Sequence, residues 1–188
     1  LAALPAVAEN LNTTSTNASL TLSAFMVGMA LGQLVVGPLS DKTGRRKPLL
    51  FGVVICFIAT VACGFAPNIE LLIFARFMMG FAGSIGAVLA RSIVADTTQG
   101  LATAKLMGVM MMINGFAPVL APLFGGWVLS WGNWRDIFHV LSVITAVMML
   151  GVIFVIKETL PVEERYQGTA LSVYSELPKV FKIRRYLG

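Results

Sequence analysis

Charge is scarce in this sequence. Only 12% of its 188 residues are Asp, Glu, Lys or Arg, about half the share of a soluble globular domain. Histidine occurs once, at His139, and cysteine twice, at Cys56 and Cys63. One histidine and no cluster of acids exclude a Ser/His/Asp triad, a paired-carboxylate site and a His/Glu metal centre in the apolar segments. His139 reads as a packing residue, and no metal or other cofactor is expected. The cysteines lie two helical turns apart on one face, a separation of about 10 Å, which excludes a disulfide between them and leaves two small packing residues. The acids are Glu9, Asp41, Glu70, Asp96, Asp136, Glu158, Glu163, Glu164 and Glu176, and none falls within the middle of an apolar run.

What remains is apolar: 57% of the residues are hydrophobic and the mean hydropathy is +0.83. These residues come in five blocks, Leu20–Leu39, Pro48–Ala66, Ile69–Ala90, Leu106–Leu129 and Ile137–Ile156. Each is near the roughly 20 residues that a helix needs to cross a bilayer. A segment in hydrocarbon must satisfy its own backbone hydrogen bonds, and no block alternates in polarity as a barrel strand would. The expected fold is therefore an all-α membrane bundle. Leu1–Asn10 reads as the outer end of a further helix that begins upstream. Residues 1–156 form the expected transmembrane domain and residues 157–188 a loop. In that loop Leu171, Tyr174, Leu177, Val180 and Phe181 recur at helical spacing among Lys and Arg, as suits a helix lying on an anionic surface. Asn12-Thr13-Thr14 and Asn17-Ala18-Ser19 match glycosylation acceptors, a pattern common by chance.

The net charge of +5 is topological. If the blocks alternate in direction, Lys42, Arg45, Arg46, Lys47, Arg91, Lys105, Lys157 and the basic residues beyond it share one side. The other side holds only Arg135. Such a bias marks the cytoplasmic face, so loops 40–48, 91–105 and 157–188 are expected in the cytoplasm and the protein in the cytoplasmic membrane. Because this topological bias accounts for the basic residues, it argues against a nucleic-acid role.

The order of residues in the first basic loop carries more. Gly37-Pro38-Leu39-Ser40-Asp41-Lys42-Thr43-Gly44-Arg45-Arg46 fills every defined position of G-x-L-x-D-x-x-G-R-[RK]. This resembles the signature loop between helices two and three of the major facilitator superfamily of secondary transporters. Gly37 and Gly44 are read as sites of close approach and sharp reversal. The resemblance implies that Asp41 and Arg45 join an acid at the cytoplasmic end of helix four, here Asp96, in a latch that holds one conformation.

Two further segments extend the resemblance. Arg76 lies seven residues into its block, about 10 Å below the boundary, where insertion costs roughly 2.5–3.5 kcal/mol for a mid-helix arginine. With Gly80 and Gly83 it is similar to a helix-four motif whose arginine faces the central cavity and takes part in proton coupling. Gly108, Ala117, Ala121-Pro122 and Gly125-Gly126 follow the spacing g-x8-G-x3-G-P-x2-G-G of the antiporter motif on helix five, with alanine at two glycine positions. Small residues permit close helix approach, and Pro122, like Pro118, removes a backbone donor and favours a bend. Gln33 and Asn114 are amides inside apolar blocks, read as facing a cavity or bridging helices. The methionines of the first and fourth blocks suit an adaptable surface.

Leu4-Pro5-Ala6, Gly32-Gln33-Leu34, Ala121-Pro122 and Glu158-Thr159-Leu160 resemble the bicyclomycin and chloramphenicol resistance branch of the twelve-span drug:proton antiporters. The resemblance implies the N-terminal six-helix half of an exporter, with a second six-helix half, a small amphiphilic substrate, protons and the lipid bilayer as partners. The titrating acid would lie upstream of Leu1. An importer of a small polar solute or a membrane scaffold are the competing readings. The antiporter spacing argues against the first and Arg76 against the second.

Overall fold

In the computed structural model of the chain, which describes residues 3–161 together with Glu163 and Arg165, the secondary structure is dominated by six α-helices. They are α1 (Leu4–Asn10), α2 (Ser15–Thr43), α3 (Arg46–Gly64), α4 (Ile69–Thr97), α5 (Leu101–Leu129) and α6 (Trp134–Val155). Five of them, α2 to α6, are long and apolar enough to cross a membrane. The surface helix expected from Leu171 onward lies outside the described residues.

The helices overrun the apolar blocks. At 29 residues each, α2, α4 and α5 are about 43 Å long, against a hydrocarbon core of about 30 Å. The starts of α2, α4 and α6 are set by side-chain caps rather than by hydropathy. The Thr14 hydroxyl accepts from the Asn17 amide at 3.2 Å, so the polar run at Asn12–Ser19 starts a helix. Asn68 caps α4 through the Leu71 amide at 2.9 Å, and Asn133 with Asp136 forms a reciprocal capping box at the start of α6. The turn before α6 is short, because Trp134 and Arg135 already belong to the helix. Helix α2 likewise runs through Gly37 and Pro38 to Thr43. Gly37 neither reverses the chain nor meets a close neighbour, since a Cβ there would find nothing within 4 Å. The reversal falls to Gly44, at φ 90°.

Helices α2 and α4 pack backbone to backbone. A Cβ on Gly28 would overlap the Phe77 carbonyl oxygen, and one on Gly80 would overlap the Phe25 carbonyl oxygen. One turn along, a Cβ on Gly32 would collide with the Ser84 hydroxyl and stand 2.6 Å from the Phe81 carbonyl oxygen. Gly28 and Gly32 thus face Gly80 and Ser84, small residues spaced by four on each helix, the arrangement that lets membrane helices touch.

Helix α3 packs on α4 and runs antiparallel to α6. One core cluster forms near the Trp134 end, where Cys63, Leu72, Ala75, Trp134 and Phe138 meet α1 through Val7. A second forms near the basic end from Val36, Leu49, Ile85 and Leu89. Helix α5 stands apart and, among the described residues, buries only Val128.

Residues from α6 and just beyond it hold α3 at both ends. Arg135 donates to the carbonyls of Ala66 at 2.8 Å and Gly64 at 3.2 Å, and its guanidinium lies 4.4 Å from the Trp134 ring centre. A cation on the orphan carbonyls of a helix C-terminus complements the helix dipole. Arg135→Ala is expected to lower the thermal midpoint in detergent, by about 1–2 kcal/mol of stability for two charge-assisted bonds. An unchanged midpoint would show that water replaces the guanidinium without loss.

Candidate functional site

Two sites take shape, one at the basic end and one within the spans. The first is built by the tight reversal after α2. Because Gly44 adopts positive φ, only two residues separate α2 from α3, and Arg45 folds back over the last turn of α2. Its Nη1 donates to Asp41 Oδ1 and, at 2.7 Å, to the Ser40 hydroxyl. Its Nε donates to Asp96 Oδ2 at 2.9 Å. Asp96 arrives from the last turn of α4. The structure thus brings together Asp41, Gly44, Arg45 and Asp96, and leaves Gly37 outside the cluster.

The two arms of this cluster differ in weight. The Asp41 side chain is 51% exposed and that of Asp96 20%, against 10% for Arg45. Asp41 is half open to water, which screens its arm and leaves it weak. The Asp96 arm joins separate helices and shields its charges from water, so its loss strands the guanidinium. Burial alone would lower the Arg45 pKa, but hydrogen bonds to Asp96 and Asp41 outweigh it and hold the group above the ordinary arginine value. The cluster is therefore a permanent cation bridging two carboxylates across the ends of α2 and α4.

The second site centres on Arg76. Its neighbours Leu72 and Ala75 are buried in the core, which fixes the face that Arg76 presents. The guanidinium carbon lies 4.8 Å from the Phe138 ring centre and 6.0 Å from that of Phe25. Aromatic faces attract a cation, more so when it is desolvated. Nε is buried without a hydrogen-bond partner, and among the described residues no carboxylate pairs with the group. Arg76 opens onto a cavity of about 310 Å³ whose far wall is α5: Pro118, Ala121, Pro122, Gly125 and Gly126. Thr21 and Leu22 of α2, Ile137 and Leu141 of α6 and the start of α1 complete it.

Five residues singled out in the sequence line this one space: Arg76, Ala121, Pro122, Gly125 and Gly126. Others lie elsewhere. Gln33 is exposed on α2 and lines neither cavity. Asn114 donates to the Met110 carbonyl of its own helix at 2.8 Å and lines a separate cleft of about 200 Å³ with Arg91, Met107, Met110 and Met111. Gly108 and Ala117 do not reach the Arg76 cavity. Nor do the small residues of α5 draw a neighbour close. A Cβ at Gly108, Gly125 or Gly126 would meet nothing within 4 Å, because the described helices leave that face of α5 uncovered. His139 packs on the Phe65 ring, 5.1 Å between centres.

Two features escaped the sequence reading. The paired small residues of α2 and α4 had a visible signal, since Gly28-x3-Gly32 and Gly80-x3-Ser84 are both present. Glu158 reaches the Arg45 backbone from 113 positions away, and no local pattern announces that contact.

Comparison with known proteins agrees with this geometry. The sequence profile described as Major Facilitator Superfamily matches residues 1–187. The chain is 37% identical over 190 residues to "Uncharacterized MFS-type transporter YdgK" of Bacillus subtilis (strain 168), covering all of this chain and 47% of that protein. It is 34% identical over 158 residues to "Uncharacterized transporter" of Rickettsia bellii (strain RML369-C), covering 84% of this chain and 39% of the relative. It is 30% identical over 161 residues to "Multidrug resistance protein MdtL" of Citrobacter koseri, covering 86% and 41%. The chain therefore spans less than half the length of these curated relatives. With a match over nearly every residue and five bilayer-length helices, this multi-pass membrane chain belongs to the Major Facilitator Superfamily.

Proposed function

We propose that this chain supplies the N-terminal half of a secondary transporter that exports drugs or other small amphiphilic molecules in exchange for protons, of the bicyclomycin and chloramphenicol resistance type. Residues 1–156 would be its membrane bundle and 157–188 its central loop, in a cytoplasmic membrane with the basic end inward. A second six-helix half would complete the central cavity, and rocking of the halves would expose it to each side in turn.

The observation that carries this reading is Arg76. A cation in a span is expensive, and here it faces a cavity, between two aromatic rings, with an unsatisfied Nε. A fixed guanidinium lowers the pKa of any carboxyl group brought beside it. Separating the two raises that pKa again, so a movement becomes a proton uptake. The carboxyl partner would lie outside the described residues. The α5 wall of small residues and prolines supports exchange, because it can slide or bend without moving bulky side chains. The name of the MdtL relative supports a drug-like substrate. The Asp41–Arg45–Asp96 cluster would serve as a latch between conformations and make no substrate contact.

The test is dye efflux from cells making the full-length protein. Extrusion of a fluorescent amphiphile is expected to stop when a protonophore collapses the proton gradient. Efflux that survives the protonophore sinks proton coupling, and protein-dependent accumulation of the dye sinks export.

A further inference from the structure

The N-terminus of α3 lacks a cap of its own. Arg45, at the N-cap position, is in helical conformation and makes no side-chain cap. The first turn contains no acid and carries Arg46 and Lys47, cations at the end of a helix where its dipole disfavours them. The amide N–H groups at such an end have no partner within the helix and need acceptors; Pro48 contributes no N–H.

Glu158 supplies an acceptor for two of them, from beyond the end of α6. Its Oε1 accepts from the Arg45 amide at 2.8 Å, and its Oε2 from the Arg46 amide at 3.4 Å. The same carboxylate accepts from the amides of Thr159 and Leu160, each at 3.2 Å, and lies 3.6 Å from Arg165 Nη2. Arg46 Nη2 returns a bond to the Ile153 carbonyl at 3.3 Å. Gly44 makes the seat. A Cβ there would overlap the Glu158 carboxylate, with its Cδ at 2.8 Å and Arg165 Nη2 at 2.9 Å. The glycine of the signature loop is thus required twice, for its positive φ and for the space the carboxylate fills. Burial would raise the Glu158 pKa, but the amides of Arg45, Leu160 and Arg46 and the charge of Arg165 hold it below the usual carboxylate range.

We propose that Glu158 is a positioning residue for the charge cluster: seated on Gly44 and bound to the α3 amides, it fixes the Arg45 backbone so that the guanidinium spans Asp41 and Asp96. Glu158 touches neither carboxylate and acts only through Arg45. The inference rests on the reading of that cluster as a latch, but its test requires no transport.

Two measurements on the full-length protein in lipid nanodiscs decide it. The first is hydrogen exchange of the Arg45 and Arg46 amides. Glu158→Ala is expected to speed it about tenfold, the loss of a charged cap, while Glu158→Gln, which keeps an acceptor, speeds it less. The second is maleimide labelling of the thiol introduced by Ser40→Cys, with sites resolved by mass spectrometry. Ser40 is buried beneath the Arg45 guanidinium, so labelling reports whether Arg45 is in place. Arg45→Ala and Glu158→Ala should each raise it, and the double variant should label no faster than Arg45→Ala alone. Faster exchange with unchanged labelling makes Glu158 a helix cap only and overturns the positioning role. Unchanged exchange overturns the proposal outright. If both measurements rise as expected while the wild-type protein moves no dye, the positioning role stands and the transport reading fails.

Discussion

Gly80→Leu is expected to leave little or no folded protein, read as loss of the monodisperse peak in detergent and of a cooperative thermal transition. The atoms that a side chain at this position would strike are the Phe25 carbonyl, whose carbon would be 2.9 Å away, and the Met29 amide nitrogen at 3.2 Å. Both belong to the backbone of α2 and cannot rotate aside. Overpacking against side chains costs about 1–3 kcal/mol. Here the whole of α2 must be displaced, and the same seam is closed by Gly28 against Phe77 and Gly32 against Ser84. A total stability of about 5–15 kcal/mol does not absorb the loss of such an interface. Gly80→Ala should fall between the wild type and leucine. Gly83→Ala is the control, because a Cβ there meets nothing within 4 Å, and it should be neutral. A Gly80→Leu protein with a wild-type thermal midpoint would refute the backbone contact between α2 and α4.

Arg76→Ala is expected to do the opposite: abolish exchange and leave folding intact or improved. The guanidinium pays for its place in the span with roughly 2.5–3.5 kcal/mol. What it receives among the described residues is the attraction of the Phe138 and Phe25 rings, about 0.5–2 kcal/mol. Removing it should therefore hold or raise the thermal midpoint, while dye efflux falls to background. The split between the two readouts is the signature of a residue kept for function at the expense of stability. Arg76→Lys keeps the charge but presents a compact ammonium in place of a planar fork, and should retain only a fraction of the activity. Full efflux by Arg76→Ala would remove it from the coupling mechanism, and a collapse of the fold would make it structural.

The contrast between these two residues shows what the sequence could convey. Arg76 was legible because a charge in hydrocarbon is anomalous wherever it points, and its depth follows from counting 1.5 Å per residue. The all-helical fold and the number of spans were legible for the same reason, since backbone in lipid has few alternatives. The meeting of Arg45 with Asp96, 51 positions apart, came only through resemblance. The helix ends were misjudged because hydropathy marks where the lipid ends, whereas Thr14, Asn68 and Asn133 mark where the helix ends. Gln33 and Asn114 stand out in the sequence by polarity alone. Polarity does not say which way a side chain points, and Asn114 satisfied itself on the Met110 carbonyl. Gly37 matched its motif, yet it lies in the body of α2, and the matched pattern could not distinguish a helical glycine from the one at Gly44 that turns the chain.

The grip on α3 from both ends has a mechanical consequence. Glu158 sits on its amides and Arg135 on its carbonyls, so sliding α3 along α6 by one helical turn would break two anchors of opposite sign at once. Helices α2 and α4 are welded by their glycines in the same way. Those four cylinders pack together as one block. A pair of spin labels on α3 and α6 should therefore give a single narrow distance.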